Sequence, residues 1–528
     1  MYSIRIFWLA SLLLLSSCAE LRKSATKRTG IVTPPPHVVV PVVEIPSTPL
    51  GAPLRINVVY PLQGQARPAV DSNFIFGSVG NGNATLTING YAVPVARNGA
   101  FLAYLPMPSM KEAYQIVTHR GDAADSLIVA YHPEDAKARS KVEESRKARY
   151  EAFTLPRTLQ VVKCSDTLQT GNDVAPGATT PDGTREWFFP RRTIVQAVGR
   201  EGKYYKLELD KDEYAWVADS SFIASDNFTA KPRPGGVLQF AGYIDLLLPC
   251  CFGPFRITVE GRKLRVHVYR NVMHATFAYP DTSVKLVTDV GIGAAGQGSE
   301  YEFSCSAPIW GYKAFYDSLG SLVVRLRRPP NIDKDDPLRG LRIMIDPGHP
   351  PGGATGPLGL MEREANLAIA TRLRDQLAAR GVKVLITHTD LHGMVSDVNQ
   401  VEELDARAAL AVRENVDLMV SVHNNAFPDG TNPFLNYGTS TFYFHPQSAD
   451  LAGCLDREIA QVTGVPNLGP MKKSLAVCRP TWMPCALTES LHMMFPEQEQ
   501  ALRDPEFLDA LAAAHVRGIE DFVRERAQ

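Results

Sequence analysis

The C-terminal third of the chain alternates continuous apolar runs with longer segments whose apolar residues recur at helical spacing. The run at 341–346 precedes a segment from Glu364 to Arg380 that has one apolar side and is closed by Gly381. Continuous runs are typical of strands buried on both faces, and a 3.6-residue period is typical of amphipathic helices. Their alternation predicts an α/β domain over 339–528, with a mostly parallel sheet covered by helices.

The other elements of this domain follow the same two patterns. Strands are predicted at 382–387, 418–423, 439–444, 475–477 and 484–488, and helices around 404–411, at 449–462 and at 505–524. In open sheets of this kind, ligands and chemistry collect at the C-terminal ends of the strands.

Upstream of this domain, apolar and polar residues alternate in short runs broken by glycine and asparagine. Asn89-Gly90 between two such runs is a hairpin signal. Several short strands with turn residues at this spacing predict a small β-sandwich over 51–132, and the segment resembles an Ig-like module. The heavily charged segment 133–153 is predicted to be a solvated linker helix.

Two further all-β domains are predicted between the linker and the C-terminal domain. Tight strands ending in an aromatic-Ala-Trp-Val element make 154–230 resemble an SH3-like β-barrel. Its Trp216 is either a core residue or part of a groove that binds cell-wall peptides. The segment 235–330 is β-rich, and its position just before the C-terminal domain suggests a targeting module.

The N-terminus has the pattern of an export signal. Arg5 precedes the apolar run 6–15, which is too short to span a bilayer as a mature helix. Leu15-Ser16-Ser17-Cys18 resembles a bacterial lipobox, which implies a signal peptide at 1–17 and lipidation of Cys18. An ordinary signal peptide with an incidental cysteine is the alternative.

The segment 18–50 is rich in proline and is predicted to be an extended tether, with a proline-rich recognition ligand as the alternative. We therefore expect an exported lipoprotein that faces the periplasm and is attached to a membrane by its N-terminal lipid. Ala19, rather than aspartate, follows Cys18 and favours the outer membrane.

Composition narrows the class of partner. Hydrophobic residues make up 45% of the 528 residues and charged residues 21%, which is typical of globular domains. Lysine and arginine total 55 against 56 acidic residues, and the pI is about 6.9. Because no basic excess is available to bind a phosphate backbone, we expect no nucleic-acid partner.

The cysteines place a weaker constraint on the fold. The chain has eight, so an odd number remains besides Cys18, and at least one thiol is left unpaired. Cys454, Cys478 and Cys485 lack CxxC spacing. Buried structural cysteines or one disulfide are therefore favoured over a metal cluster.

The candidate chemistry lies at two strand ends of the C-terminal domain. Asp346-Pro347-Gly348 ends an apolar strand and is followed by His349, and a second strand ends at His423. Glu362 lies between them in sequence, at the start of a predicted helix. Two imidazoles and a carboxylate converging from rigid elements are typical of a catalytic zinc site, which keeps one position open.

Four motifs carry a family resemblance. They are Asp346-Pro347-Gly348-His349, Glu362-x-x-x-Asn366-Leu367, Ser421-Val422-His423-Asn424-Asn425-Ala426 and Leu487-Thr488-Glu489-Ser490. In order and spacing, the segment 341–525 resembles the zinc-dependent N-acetylmuramoyl-L-alanine amidases (amidase type 3).

The resemblance implies a role for each matching residue. His349, Glu362 and His423 would bind Zn²⁺, and Glu489 would be the catalytic carboxylate. Asn425 would contact the substrate or orient His423. Glu362 is preferred to Glu364 because Asn366 sets the register of the motif.

The activity implied is hydrolysis of the amide between the lactyl group of N-acetylmuramic acid and the L-alanine of the stem peptide, with peptidoglycan as the substrate. Zinc would polarise the carbonyl and acidify a water, and Glu489 would carry the proton to the leaving nitrogen. Such an enzyme would serve wall remodelling or daughter-cell separation, and amidases of this family are often autoinhibited, which leaves room for a regulatory protein partner. Two alternatives stay open: a catalytically silent wall-binding scaffold and a zinc peptidase that cuts within stem peptides.

Overall fold

The computed structural model describes residues 43–109, 113–131, 150–163, 174–181, 183–224, 230–270, 277 and 286–527. The signal peptide, Cys18 and most of the predicted tether lie outside these ranges. The predicted linker helix lies outside them up to residue 149, and 151–153 are strand rather than helix because they pair with the next domain's sheet. Within the described ranges, no helix is both long and apolar enough to cross a membrane.

The first β-rich unit consists of two facing sheets. Its strands β1–β7 are Asn57–Tyr60, Ser72–Ser78, Thr85–Ile88, Tyr91–Val93, Ala100–Pro106, Tyr114–Arg120 and Ala123–Val129. The sheet orders are β1-β2-β5 and β4-β3-β6-β7, with Ile75, Phe101 and Ile116 buried between them. The predicted hairpin is confirmed: β3 pairs with β4, and Asn89 and Gly90 have φ angles of 49° and 79°. The Ig-like assignment stays a prediction.

The middle of the chain forms three more sheets. Strands β8–β14 are Glu151–Val161, Val174–Ala178, Arg185–Pro190, Ile194–Glu201, Tyr204–Asp210, Glu213–Ala218 and Phe222–Ala224, and they form one seven-stranded sheet. Strands β15–β22 are Gly236–Gln239, Tyr243–Leu248, Phe255–Glu260, Lys263–Val268, Val287–Ala295, Gly298–Cys305, Tyr312–Tyr316 and Leu322–Arg327, in two four-stranded sheets.

Trp216 lies on the outer side of β13. Its neighbours Ala215 and Val217 are fully buried, whereas Trp216 is half-buried and contacts the ring of Tyr150 with 5.9 Å between centroids. Trp216 therefore lies outside the core of this sheet, and the interpretation of Trp216 as a core residue is wrong. The SH3-like assignment and wall binding stay predictions.

The C-terminal domain contains a six-stranded sheet with helices. Its strands β23–β28 are Arg342–Pro347, Lys383–Ile386, Leu418–Asn425, Thr439–Tyr443, Asn467–Lys472 and Cys485–His492, in the order β24-β23-β25-β28-β26-β27. All neighbouring strands pair in parallel except β26 and β28. Helices α1–α6 are Glu362–Ala379, Gln400–Arg413, Pro433–Asn436, Ala449–Thr463, Pro496–Ala501 and Pro505–Arg526.

Several elements of this domain differ from the sequence prediction, and two strands are longer than predicted: β25 continues past His423 to Asn425, and β28 continues past residue 488 to His492. The strand predicted at 475–477 is wrong, because Ala476–Cys478 forms a single 3₁₀ turn and β27 is the edge strand instead. Gly469 and Pro470 obscured β27, since both residues are depleted in strand interiors and Pro is tolerated at a sheet edge. Helix α1 begins at Glu362, two residues earlier than predicted.

The cysteines of this domain are buried thiols. Cys454, Cys478 and Cys485 are each unpaired and inaccessible, which excludes the alternative of a disulfide among them. Burial raises the pKa of the Cys454 thiol to about 11 and that of Cys478 to about 12. They therefore pack as small apolar residues.

The β-rich units pack directly on the C-terminal domain. Arg327, at the end of β22, is buried and donates to Asp417 Oδ1 at 2.6 Å, while Trp310 Nε1 donates to the Asp417 carbonyl at 2.8 Å. Val43, where the described chain begins, packs partly buried against the core of the C-terminal domain. An apolar cluster joins the first unit to the same domain, comprising Phe74, Phe76, Leu102, Phe434, Met494 and Phe495.

Candidate metal centre

Three side chains converge at the C-terminal edge of the parallel strands. His349 follows β23, Glu362 opens α1 and His423 lies near the end of β25, and one ligand atom of each lies within 4.8 Å of the others. His349 Nε2 is 3.2 Å from Glu362 Oε2, and His423 Nδ1 is 3.1 Å from Glu362 Oε1. The structure thus brings together the three residues predicted to bind metal.

The backbone around His349 presents its Nε2 atom to this cluster. His349 has a left-handed φ of 63°, an uncommon conformation for a residue with a side chain. Its Nδ1 lies 2.9 Å from the Pro351 carbonyl, which can only accept a hydrogen bond. In the neutral imidazole, Nδ1 therefore carries the proton, and Nε2 is the atom that can bind a metal in place of its contact with Glu362.

A buried ion network beneath the centre holds this loop. The fully buried Arg407 of α2 donates to the carbonyls of Pro347 at 3.0 Å and Pro350 at 2.5 Å, on either side of His349. It also contacts Asp346 Oδ1 at 3.3 Å and Glu403 Oε1 at 2.9 Å. One guanidinium thus ties the loop of the first ligand to helix α2.

Both carboxylates of the network have further donors. Asp346 accepts hydrogen bonds from Thr387 Oγ1 at 2.7 Å and Ser421 Oγ at 2.6 Å. Glu403 accepts from the backbone amides of residues 394–396 at 2.8–3.1 Å. Buried charges are costly unless they are paired and hydrogen-bonded, so these hydrogen bonds to the two carboxylates stabilise the network.

Glu362 is held from three sides. The amide of Ala354 donates to Glu362 Oε2 at 2.9 Å, and the amide of Asn424 donates to Oε1 at 3.3 Å. Asn366 Nδ2 contacts Oε1 at 3.3 Å and donates to the Gly348 carbonyl at 3.0 Å. Glu364 instead accepts from the amide of Met361 and caps α1, so it points away from the cluster.

The charge state of Glu362 suits a metal ligand. Burial by itself would raise the pKa of Glu362, but hydrogen bonds and charge interactions with His349 and His423 outweigh it and lower the pKa below the usual range. The carboxylate is therefore ionised at neutral pH. Two imidazole nitrogens and one carboxylate oxygen are donors that zinc accepts in catalytic sites, so the residues fit this metal.

Glu489 lies on β28 directly beside His423 in the parallel register. Burial and then the negative charge of Glu362 raise the pKa of Glu489 well above its ordinary value. Among the described residues, none is a hydrogen-bond partner for its enclosed Oε2 atom. A carboxyl group with an enclosed, unpartnered oxygen beside a candidate metal site is able to exchange a proton with a bound substrate.

Comparison with known proteins agrees with these features. Residues 343–521 match the family model described as N-acetylmuramoyl-L-alanine amidase. The C-terminal domain belongs to this amidase family. The germination-specific N-acetylmuramoyl-L-alanine amidase of Bacillus subtilis is 27% identical over 201 residues, which are 36% of this chain and 83% of that protein.

Other relatives match a similar share of the chain. The probable cell wall amidase LytH of Staphylococcus aureus is 26% identical over 197 residues, 36% of this chain and 61% of LytH. The solved amidase of Clostridium difficile 630 is 27% identical and covers 35% of this chain and 96% of its own, with a TM-score of 0.31. Each of these matches covers little more than a third of the chain.

Asn425, the remaining predicted site residue, ends β25. Its Oδ1 accepts from the amide of Ala426 at 2.8 Å, and its carbonyl accepts from the amide of Met493. These bonds shape the loop that leaves the amidase centre, and a contact with substrate stays a prediction. The adjacent Asn424 is the residue that contacts Glu362 and Asn366.

Sequence reasoning missed the residues that hold the ligands in place. Arg407, Glu403 and Asn424 had no assigned role, and Asn366 served only to set the motif register. Asn424 was part of a quoted motif, whereas the signal for Glu403 and Arg407 was their i, i+4 spacing at a predicted helix, which ordinarily indicates a solvated surface pair. Their burial depends on tertiary packing.

Gly348 of the amidase domain has no room for a side chain. A Cβ atom there would lie 2.3 Å from the His423 ring. We expect Gly348→Ala to displace His423 and lower zinc affinity by roughly 10–100-fold, the usual cost of disturbing a metal ligand's support. Competition with a chromophoric chelator measures this affinity.

Gly453→Ala is the matched control, because a Cβ at that position in α4 meets open space. It should leave zinc affinity unchanged. Equal zinc affinity in Gly348→Ala and the unsubstituted protein would show that the His423 ring is not held against this glycine.

Proposed function

We propose that this protein is a zinc-dependent peptidoglycan hydrolase that cleaves the amide between the lactyl group of N-acetylmuramic acid and the L-alanine of the stem peptide. The observation that carries the proposal is the convergence of His349, Glu362 and His423 beside Glu489, within the segment that matches the amidase family.

The ligand residues have a positioning role in this reaction. His349 would bind through Nε2, His423 through Nδ1 and Glu362 through its carboxylate, with a position left for substrate or water. A zinc ion held there supplies Lewis-acid polarisation of the scissile carbonyl and acidification of a water. The buried bonds of Arg407 keep His349 in place during turnover.

Glu489 would move the proton. In its ionised form it takes a proton from the attacking water, and in its protonated form it returns that proton to the leaving L-alanine nitrogen. Both tasks require a carboxyl group near the metal that is not a ligand. Burial and Glu362 favour the protonated form, and the positive charge of a metal held by the three ligands would oppose them by favouring the ionised form.

We also propose that the chain is an exported lipoprotein attached to a membrane through Cys18, and that its substrate is the cell wall facing that membrane. The support is the sequence of the first 18 residues alone. Detergent partitioning and mass spectrometry of the N-terminal peptide would detect the lipid.

The activity is tested by incubating the full-length protein with purified sacculi and identifying the products by mass spectrometry. We expect free stem peptides that begin with L-alanine, together with intact glycan strands. Treatment with a strong chelator should abolish release, and stoichiometric zinc should restore it.

The same experiment separates the alternatives. Cleavage inside the stem peptide would contradict the proposal in favour of a zinc peptidase. Sedimentation with sacculi but no product, under conditions in which a control amidase releases peptides, would favour the silent scaffold.

A further inference from the structure

A cavity of about 460 Å³ lies between the first β-rich unit and the amidase domain. The first unit contributes Val59, Tyr60, Leu62, Phe74 and Phe76, and the amidase domain contributes Gly353, Ala354, Thr355, Ala426, Phe427, Pro428, Asp429, Met493 and Met494. Its volume falls within the roughly 300–1,000 Å³ of small-molecule sites.

The cavity adjoins the candidate metal centre through two of its lining residues, Gly353 and Ala354. A Cβ built on Gly353 would lie 3.2 Å from His349 Cγ and 3.5 Å from Glu362 Cβ, and the next residue, Ala354, donates to Glu362. Ala426, which also lines the cavity, follows Asn425 at the end of the strand that carries His423. A substrate held at the metal would therefore extend one of its ends into this cavity.

The two units that enclose the cavity are joined by specific polar contacts. Asp429 accepts hydrogen bonds from Tyr60 and, at 2.8 Å, from Asn73 Nδ2. The amide of Gly430 donates to Asn73 Oδ1 at 3.0 Å, and Tyr104 donates to the Gly430 carbonyl at 2.9 Å. Side chains of the first unit thus hold the amidase loop that begins at Ala426. These contacts fix the shape of the cavity.

The chemistry of the walls selects between the two ends of the substrate. Among the described residues that line the cavity, Asp429 is the single charged side chain, and it is already hydrogen-bonded to the first unit. The rest of the wall is aromatic, aliphatic or small, and Phe427 is supported by stacking on His492 at 4.3 Å. A stem peptide bearing free carboxylates would find no cation here, whereas a neutral ring with an apolar face would fit.

We propose that this cavity is a saccharide subsite, in which aromatic residues of the first β-rich unit hold a neutral N-acetylated sugar ring of the glycan strand next to the scissile lactyl amide. The inference rests on the proposed function. It makes the first β-rich unit a specificity-determining part of the active site, and it assigns the glycan end of the substrate to the Tyr60 side of the metal.

Leu62→Glu tests the subsite. Leu62 lies on the cavity wall and is 64% exposed, so the substitution places a charge on the wall without disturbing a core. For a glycan chain that carries stem peptides, we expect KM to rise roughly tenfold with kcat unchanged, because only substrate binding is weakened. For a D-lactoyl stem peptide, which has the scissile amide but no sugar, both constants should stay as they are.

Ile128→Glu is the matched control, since Ile128 is 62% exposed on the same β-rich unit and does not line the cavity. It should change neither KM nor kcat. An unchanged KM of Leu62→Glu for the glycan substrate would overturn the subsite, and so would an equal rise for both substrates.

A second measurement separates the subsite from the proposed function. Calorimetric titration of the full-length protein with an N-acetylglucosamine tetrasaccharide should show binding that Leu62→Glu weakens and Ile128→Glu preserves. If the protein cleaves neither substrate but binds the saccharide in this way, the amidase proposal fails and the subsite stands. If the protein cleaves sacculi but does not bind the saccharide, the amidase proposal stands and the subsite fails. Saccharide binding that Leu62→Glu leaves unchanged also overturns the subsite.

Discussion

Glu489→Gln is expected to lower kcat by about 10²–10⁴-fold while the protein keeps its zinc. The amide has nearly the shape of the carboxyl group but cannot take and return a proton. Glu489 lies beside His423 on the neighbouring strand. Burial and the negative charge of Glu362 raise its pKa, which places Glu489 within electrostatic reach of the three candidate ligands. Release of stem peptides and bound zinc are measured on the same sample.

Glu506→Gln, at the exposed start of α6, is the matched control and should leave both quantities unchanged. Two outcomes would contradict the assigned role of Glu489. Loss of zinc together with activity would make Glu489 a metal ligand, and full activity with zinc retained would assign the proton transfer to another group.

Arg407→Met is expected to destabilise the amidase domain by about 3–5 kcal/mol, because it leaves Asp346 and Glu403 buried without their cation. For a domain of this size, that loss corresponds to a fall of roughly 6–20 °C in Tm. Zinc affinity should fall as well, since the carbonyls of Pro347 and Pro350 lose the donor that positions the His349 loop. Thermal unfolding with and without zinc measures both effects.

Arg413→Met is the comparison variant on the same helix, because the Arg413 side chain is 70% exposed. Its expected change in stability is below about 0.5 kcal/mol. A Tm of Arg407→Met within 2 °C of that of Arg413→Met, a margin of roughly 1 kcal/mol, would mean that the buried carboxylates are protonated or hydrated at little cost.

The parts of this protein that sequence predicted well are those in which local pattern and local chemistry coincide. His349 could be placed after a strand because Asp-Pro-Gly stops the apolar run ahead of it, and His423 near a strand end because its apolar run stops there. Glu362 could be placed near a helix start because the helical period begins two residues after it. The hairpin at Asn89-Gly90 was predicted for the same reason, since both residues tolerate a positive φ.

The parts that sequence could not predict depend on contacts between distant segments. Arg407 and Glu403 look like a solvated helical pair until β23 and the 394–396 amides are packed around them. The edge strand β27 has the glycine and proline of a loop, and only its pairing with β26 makes it a strand. Trp216 could not be assigned to either face of its sheet from its position in an alternating run alone.

The attachment of Val43 to the core of the amidase domain sets the working radius of the proposed enzyme. If the protein is anchored at Cys18, the segment 18–42 alone connects the lipid to the amidase domain, because the chain already packs against that domain at Val43. A fully extended polypeptide spans at most about 3.6 Å per residue, so this segment can span no more than about 90 Å. The enzyme would therefore act on the part of the wall nearest its own membrane. Lengthening the segment 18–42, rather than altering the active site, would change which part of the wall it reaches.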